Sequence, residues 1–324
     1  MVQGNQVRNG KAFEYALATQ YSQYLGEQHV NIKLVEDDVY NNAKRYYSEM
    51  SFADRRKFDY CAALTIDTMI RVEPGLTAVA PQSDCLKIYL NSDGKGEEGD
   101  VRDVVFERTT PQWAIGFSAK NNNDAVKHSR LSSRLDFGRE WLGVPCSQTY
   151  WNAIKPIFDY LAVNGSKTWN DLGKDKATKV YIPLLKAFRD ELLLINRENN
   201  GIPQKLIRYL IGKFSFYKII KDDSHNMVII KAFNIEGELN KSVLGIKPRF
   251  KTPLISLPTR IVEFEMKVDS DNTLHMILNG GWEVSFRIHN ASTNVEQSLK
   301  FDVKLLGNPP ILFTQYLFQD NEVD

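Results

Sequence analysis

Along the chain the apolar positions change period more than once. Between residues 9 and 25, Ala12, Phe13, Ala16, Leu17, Ala18 and Tyr21 recur at helical spacing behind Asn9, a residue suited to an N-cap, so NGKAFEYALATQYSQYL predicts an amphipathic helix. Segments 39–50 and 51–71 keep that period, and the second opens on Ser51 with Asp54 three residues on, in a capping-box-like role. The period then shortens to two. CLKIYL (85–90), VRDVVFER (101–108) and QWAIGFSAK (112–120), joined by the turn NSDGKGEEGD and by TTP, predict an antiparallel meander. Helical spacing returns over 121–163, where LDFGREWLG and YWNAIKPIFDYLAV predict two aromatic-rich helices separated at Pro145, and it continues over 180–197 and 203–211. After about residue 212 strand-like segments dominate, at 217–220, 227–235, 260–268, 273–279, 282–291 and 299–307. The expected organisation is therefore an α/β (α+β) protein, with a core over residues 1–211 and a β-rich part over residues 212–324.

Composition excludes several classes. A chain of 324 residues with 43% hydrophobic and 25% charged side chains is ordinary for a folded protein, neither disordered nor fibrous. No window approaches the roughly 18 apolar residues of a membrane span. MVQGNQVRNGKAFEY offers no apolar signal region, so a cytoplasmic location with no membrane partner is expected. Cys61, Cys85 and Cys146 are odd in number and widely spaced, which suits a reducing compartment and excludes a disulfide framework. The net charge of +1 argues against a polybasic binder, but its distribution is uneven. From Asp93 to Asp103 five acids face two bases, whereas Lys120–Arg139 is basic, and Lys205–Lys221 and Lys241–Arg260 each hold five bases and no acid. An acidic turn among basic stretches suits a cation site acting on a polyanion, although each run alone also reads as a solvated face.

The segment GDVRDVVFERTTPQWAIGFSAKNN sharpens this. Asp103 opens one strand and Lys120 ends the next, with Ser118 on the same strand face as the lysine. This is the spatial logic of the PD-(D/E)xK nucleases: carboxylates hold a divalent cation against a phosphodiester and a nearby ammonium orients or activates water. Ser118 stands where that pattern has an acid. Glu14, on the edge of the first helix, is the candidate replacement, and Asp100 a second. Downstream, Asn121, Asn122, Lys127, His128, Arg130 and Arg134 suit phosphate and base-edge contacts, as do Arg287, His289, Asn290 and Lys300 in WEVSFRIHNASTNVEQSLKFDV. All would equally serve as polar edges. His29, His225 and His275 have no sequence partners that suggest chemistry.

NGKAFEYALA, GDVRDVVF, IGFSAKNNNDAVKHSRLS, DFGREWLG and SFRIHNASTNVEQSLKFDV together resemble the HaeIII-type family of type II restriction endonucleases, from near the N-terminus to about residue 307. The resemblance implies a nuclease core with a central mixed sheet flanked by helices, and Mg-dependent cleavage of both strands of duplex DNA at GGCC, between the central G and C, leaving blunt ends. It also implies Asp103 as the metal-binding acid, Lys120 as the catalytic lysine and Glu14 as the helical acid; Ser118 leaves open how many carboxylates touch Mg. A palindromic target implies a homodimer, at least on DNA, and a cognate methyltransferase encoded separately. Another Mg-dependent nuclease specificity, or a catalytically silent DNA-binding protein on the same scaffold, are the alternatives. VPCSQ (144–148) without a Gly-rich cofactor loop does not make a methyltransferase, DGKGEEGD lacks the Gly-Lys-Ser/Thr of a P-loop, and no G-x-S-x-G elbow is present.

Overall fold

In the computed structural model, which describes residues 2–79, 84–122 and 125–319, the first helical pattern becomes α1 (Val2–Glu27). Ala12, Phe13, Ala16, Leu17, Tyr21 and Leu25 lie along one side of it and are fully buried. The short strand β1 (Ile32–Leu34) follows, then α2 (Asp38–Ser48) and α3 (Phe52–Val72). Ser51 caps α3 as its sequence predicts, its Oγ accepting from Asp54 N–H at 3.1 Å and donating to the Asp54 carboxylate at 2.7 Å. The meander forms as β2 (Leu86–Leu90), β3 (Val104–Arg108) and β4 (Trp113–Asn121), with a short helix, α4 (Asp93–Glu97), inside the acidic turn.

The segment 125–132 departs from expectation: it is a strand, β5 (Ala125–Ser132), where helical spacing had been read. Leu131 is fully buried and Ser129 nearly so, while Arg130 between them is exposed. That alternation has period two, and pairing with a strand about 170 residues later supplies its hydrogen bonds. GREWL forms a single π-helical turn (Gly138–Leu142) instead of a full helix. Then come α5 (Gln148–Val163), α6 (Ile182–Glu198), α7 (Ile202–Ile211), and the strands β6 (Phe216–Asp222), β7 (Met227–Phe233), β8 (Ile261–Met266), β9 (Thr273–Leu278), β10 (Glu283–His289), β11 (Ser298–Gly307) and β12 (Thr314–Phe318).

These elements make two compact units that interleave along the chain instead of meeting once near residue 212: residues 1–124, 213–255 and 311–324 form the first, residues 125–212 and 256–310 the second. The first contains a seven-stranded mixed sheet in the order β1-β2-β3-β4-β6-β7-β12, parallel at β1/β2 and β4/β6. Its core joins α1 to the sheet through Tyr21, whose ring lies 5.2 Å from both Phe106 and Phe117 and whose hydroxyl meets Thr65 at 2.8 Å. The second contains an antiparallel sheet ordered β5-β11-β10-β9-β8. One face of that sheet packs on Phe188 of α6, with Phe301 at 4.9 Å and Phe286 at 5.5 Å between ring centroids. The other face carries the polar residues of β5, β10 and β11.

Candidate active site

Two strands and one helix of the first unit bring the candidate catalytic residues together. Asp103 precedes β3 and is pinned by backbone on both sides: its N–H donates to Phe117 O at 2.7 Å, and its carbonyl accepts from Asn91 N–H at 2.9 Å. Its carboxylate then reaches the next amide of β4, accepting from Ala119 N–H at 2.7 Å through Oδ2. Lys120 Nζ and Ser118 Oγ each lie 3.4 Å from the same oxygen. Strand alternation produces this geometry, because Phe117 and Ala119 turn into the core while Ser118 and Lys120 take the opposite face.

Glu14 completes the cluster from α1. Only 5% of it is exposed, and Lys11, one helical turn earlier, donates to its Oε2 at 3.1 Å. Burial, and then the charge of Asp103, hold the Glu14 carboxyl above the usual carboxylate range; Lys11 and Lys120 pull it the other way. Burial pulls the Lys11 ammonium down, yet Glu14, Asp93 and Asp103 together hold it above the ordinary lysine value. Lys11 and its second partner Asp93, at 2.6 Å, were not singled out from the sequence. The i, i+3 spacing of Lys11 and Glu14 carried a readable signal, whereas Asp93 is brought in only by the fold.

The donor set suits a hard divalent cation. Among the described residues, neither Oε1 of Glu14 nor Oδ1 of Asp103 takes a hydrogen bond, so each carboxylate keeps a free oxygen. No group of three or more His, Cys, Asp or Glu side chains is poised for a metal among those residues. Two carboxylates accord with an ion such as Mg, which keeps several waters and takes further ligands from a phosphate substrate. Asp100 is otherwise engaged: Arg102 forks onto it with Nε and Nη2 both at 2.7 Å, and the Arg102 chain lies against Gly116, where a Cβ would approach within 2.4 Å. Both of its carboxylate oxygens are thus engaged by Arg102.

The remaining candidates divide. Pairing across β5, β11 and β10 sets Arg130 opposite Lys300, Lys300 opposite His289 and Asp302 opposite Arg287, so Arg130, Arg287, His289 and Lys300 share one face of the second sheet. Arg130 donates to Ser298, and His289 Nε2 meets Asp302 Oδ2 at 2.7 Å. Lys127 and His128 belong to β5, but their side chains lie outside the described residues. Arg134 is exposed just after that strand. Asn290 binds inward instead, accepting from Lys176 at 3.2 Å and donating to Ser292 O at 2.8 Å. Asn122 is a clamp on the first sheet: at a φ of 53° it exchanges two hydrogen bonds with Asp223, at 2.6 and 2.8 Å. Asn121, beside Lys120, has a buried Oδ1 with no partner.

The model of the HaeIII restriction endonuclease family matches residues 10–309. The chain is 38% identical over 304 residues to the type II restriction enzyme HaeIII of Haemophilus aegyptius, covering 93% of this chain and 94% of that protein. No solved structure matches. The class is that of the type II restriction endonucleases, which are site-specific deoxyribonucleases. Within it, the chain belongs to the HaeIII restriction endonuclease family.

Proposed function

We propose that this endonuclease is Mg-dependent and cuts both strands of duplex DNA at GGCC, between the central G and C, leaving blunt ends. The observation that carries the catalytic part is that Asp103 accepts from Lys120 and lies within electrostatic reach of Glu14, while each of the two carboxylates keeps one oxygen free of hydrogen bonds. The 38% identity to HaeIII over 93% of the chain supports the specificity. The fold reading is a PD-(D/E)xK core in which Ser118 replaces the second strand acid and Glu14 compensates from α1.

Asp103 and Glu14 would hold the cation, and Mg when bound supplies Lewis-acid neutralisation of charge on the reacting phosphodiester. Lys120 orients the attacking water and takes part of the developing negative charge by hydrogen bonding. Water adds to phosphorus as the bond to the 3′-oxygen breaks. Arg130, Arg287, His289 and Lys300, with Lys127, His128 and Arg134 nearby in sequence, grip phosphates from the polar face of the second sheet. A homodimer on DNA would match the two-fold symmetry of the target, with a separate methyltransferase protecting host DNA.

Digestion of a plasmid of known sequence, with the cut ends mapped, tests this directly. Blunt ends confined to GGCC in Mg are expected. Cuts elsewhere overturn the specificity, and no cleavage with any divalent cation favours the silent DNA-binding alternative.

A further inference from the structure

Lys11 lies 3.1 Å from Oε2 of Glu14 and 2.6 Å from Oδ1 of Asp93. The three groups differ in their surroundings. Lys11 and Glu14 are sequestered, with side chains 12% and 6% exposed, while the Asp93 side chain is 79% exposed at the start of α4. One ammonium thus bridges a carboxylate that belongs to the catalytic cluster and one that does not.

The geometry points to Lys11 as a built-in counterion that exchanges partners when a divalent cation is taken up. Without a cation, burial and the nearby Asp103 both disfavour the ionised form of Glu14, and the ammonium 3.1 Å away offsets them at the cost of a flexible side chain held in place. A cation on the free oxygens of Glu14 and Asp103 does the same electrostatic work, and the Lys11 charge then opposes it. Asp93 resolves that conflict: already within hydrogen-bond distance, it keeps the ammonium paired when Glu14 no longer needs it. Lys11 is therefore a positioning residue. It keeps the metal-free site folded and sets how tightly the cation is held, and Asp93 sets how readily the lysine gives way.

This inference rests on Glu14 and Asp103 being the cation site, so the test includes both. Calcium binding to the full chain without DNA is measured by titration calorimetry for the wild type and for Asp103→Asn, Lys11→Met and Asp93→Asn. The wild type should bind Ca, and Asp103→Asn should lose that binding. Lys11→Met should bind Ca roughly tenfold more tightly, having lost a like charge beside the site. Asp93→Asn, altered at an exposed position that the fold tolerates, should bind severalfold more weakly, because its lysine then has only Glu14. If the wild type fails to bind Ca, or Asp103→Asn binds as the wild type does, the site reading falls and the inference with it. If Asp103→Asn behaves as expected but Lys11→Met is unchanged or weaker, or Asp93→Asn is unchanged, the partner exchange alone is refuted.

Discussion

Replacing Glu73 by Gln should abolish a defined part of the pH dependence of stability. Glu73 follows the last residue of α3 and is wholly buried. One of its oxygens accepts from the Tyr217 hydroxyl and from Asn240 N–H, both at 2.6 Å. The other is near the Trp113 indole N–H without closing a hydrogen bond to it. Burial pushes the carboxyl from an ordinary 4.5 up to about 7, against the pull of those donors. The folded protein therefore keeps a proton that the unfolded chain gives up between those values, so the contribution is fully present below pH 4.5 and is lost as pH rises through about 7. At about 1.36 kcal/mol per pH unit, the gap amounts to roughly 3 kcal/mol, of which about 2.5 falls between pH 5 and pH 8. Gln has the shape of the protonated acid and does not titrate. Urea unfolding of both proteins across that range should show the wild type losing about 2.5 kcal/mol relative to Glu73→Gln. Stability curves that run parallel to within about 0.5 kcal/mol would refute the reasoning, since Glu73 would then ionise at the same pH folded and unfolded.

Lys120→Ala should lower the single-turnover cleavage rate by at least about 100-fold, with DNA binding in Ca retained in a gel-shift assay; loss of binding in step with cleavage would move Lys120 from catalysis to docking. Arg108 pairs with Asp84 at 3.0 Å in a site where both side chains are at most 1% exposed, and it also donates to Gly75 O and Ala78 O. Arg108→Met leaves the buried Asp84 carboxylate without its counter-charge, held only by Thr109 and Thr110, so urea titration should show a loss of about 3 kcal/mol. Lys300→Ala and Arg287→Ala should each reduce the slope of log K against log salt for DNA binding by roughly 1, and an unchanged slope would remove that residue from the phosphate contacts.

What the sequence discloses follows from how local each interaction is. The α1 stripe, the Ser51 cap and the Asp103/Ser118/Lys120 juxtaposition depend on neighbours within one turn or one hairpin, and period and turn chemistry reveal them. β5 is hidden for the opposite reason. AVKHSRLS has little apolar content, and its partner Ser298–Gly307 lies far along the chain, so its strand character exists only in that pairing. The same distance conceals the interleaving of the two units and the convergence of Arg130 with Lys300 and His289. The period change near residue 212 is real, but β6 returns to pair in parallel with β4, and so the segment after it completes the first sheet instead of starting a separate body.

The acidic turn shows how a correct compositional signal can mislead about individual residues. Five acids between Asp93 and Asp103 suggested a concentrated cation site. Asp93 pairs with Lys11, Glu98 with Lys95 at 2.9 Å, and Asp100 with the Arg102 fork. Each of these pairs neutralises a carboxylate that would otherwise repel its neighbours and hold cations loosely at the surface. Asp103 differs because its nearest base, Lys120, stays at 3.4 Å and bonds the oxygen already shared with Ala119 N–H, which leaves Oδ1 free. Selecting one carboxylate from the run is thus the work of the surrounding bases. On the proposed reading a cation there would meet Asp103, just before β3, and the buried Glu14 of α1, two acids 89 residues apart in sequence that local charge and local period alone do not bring together.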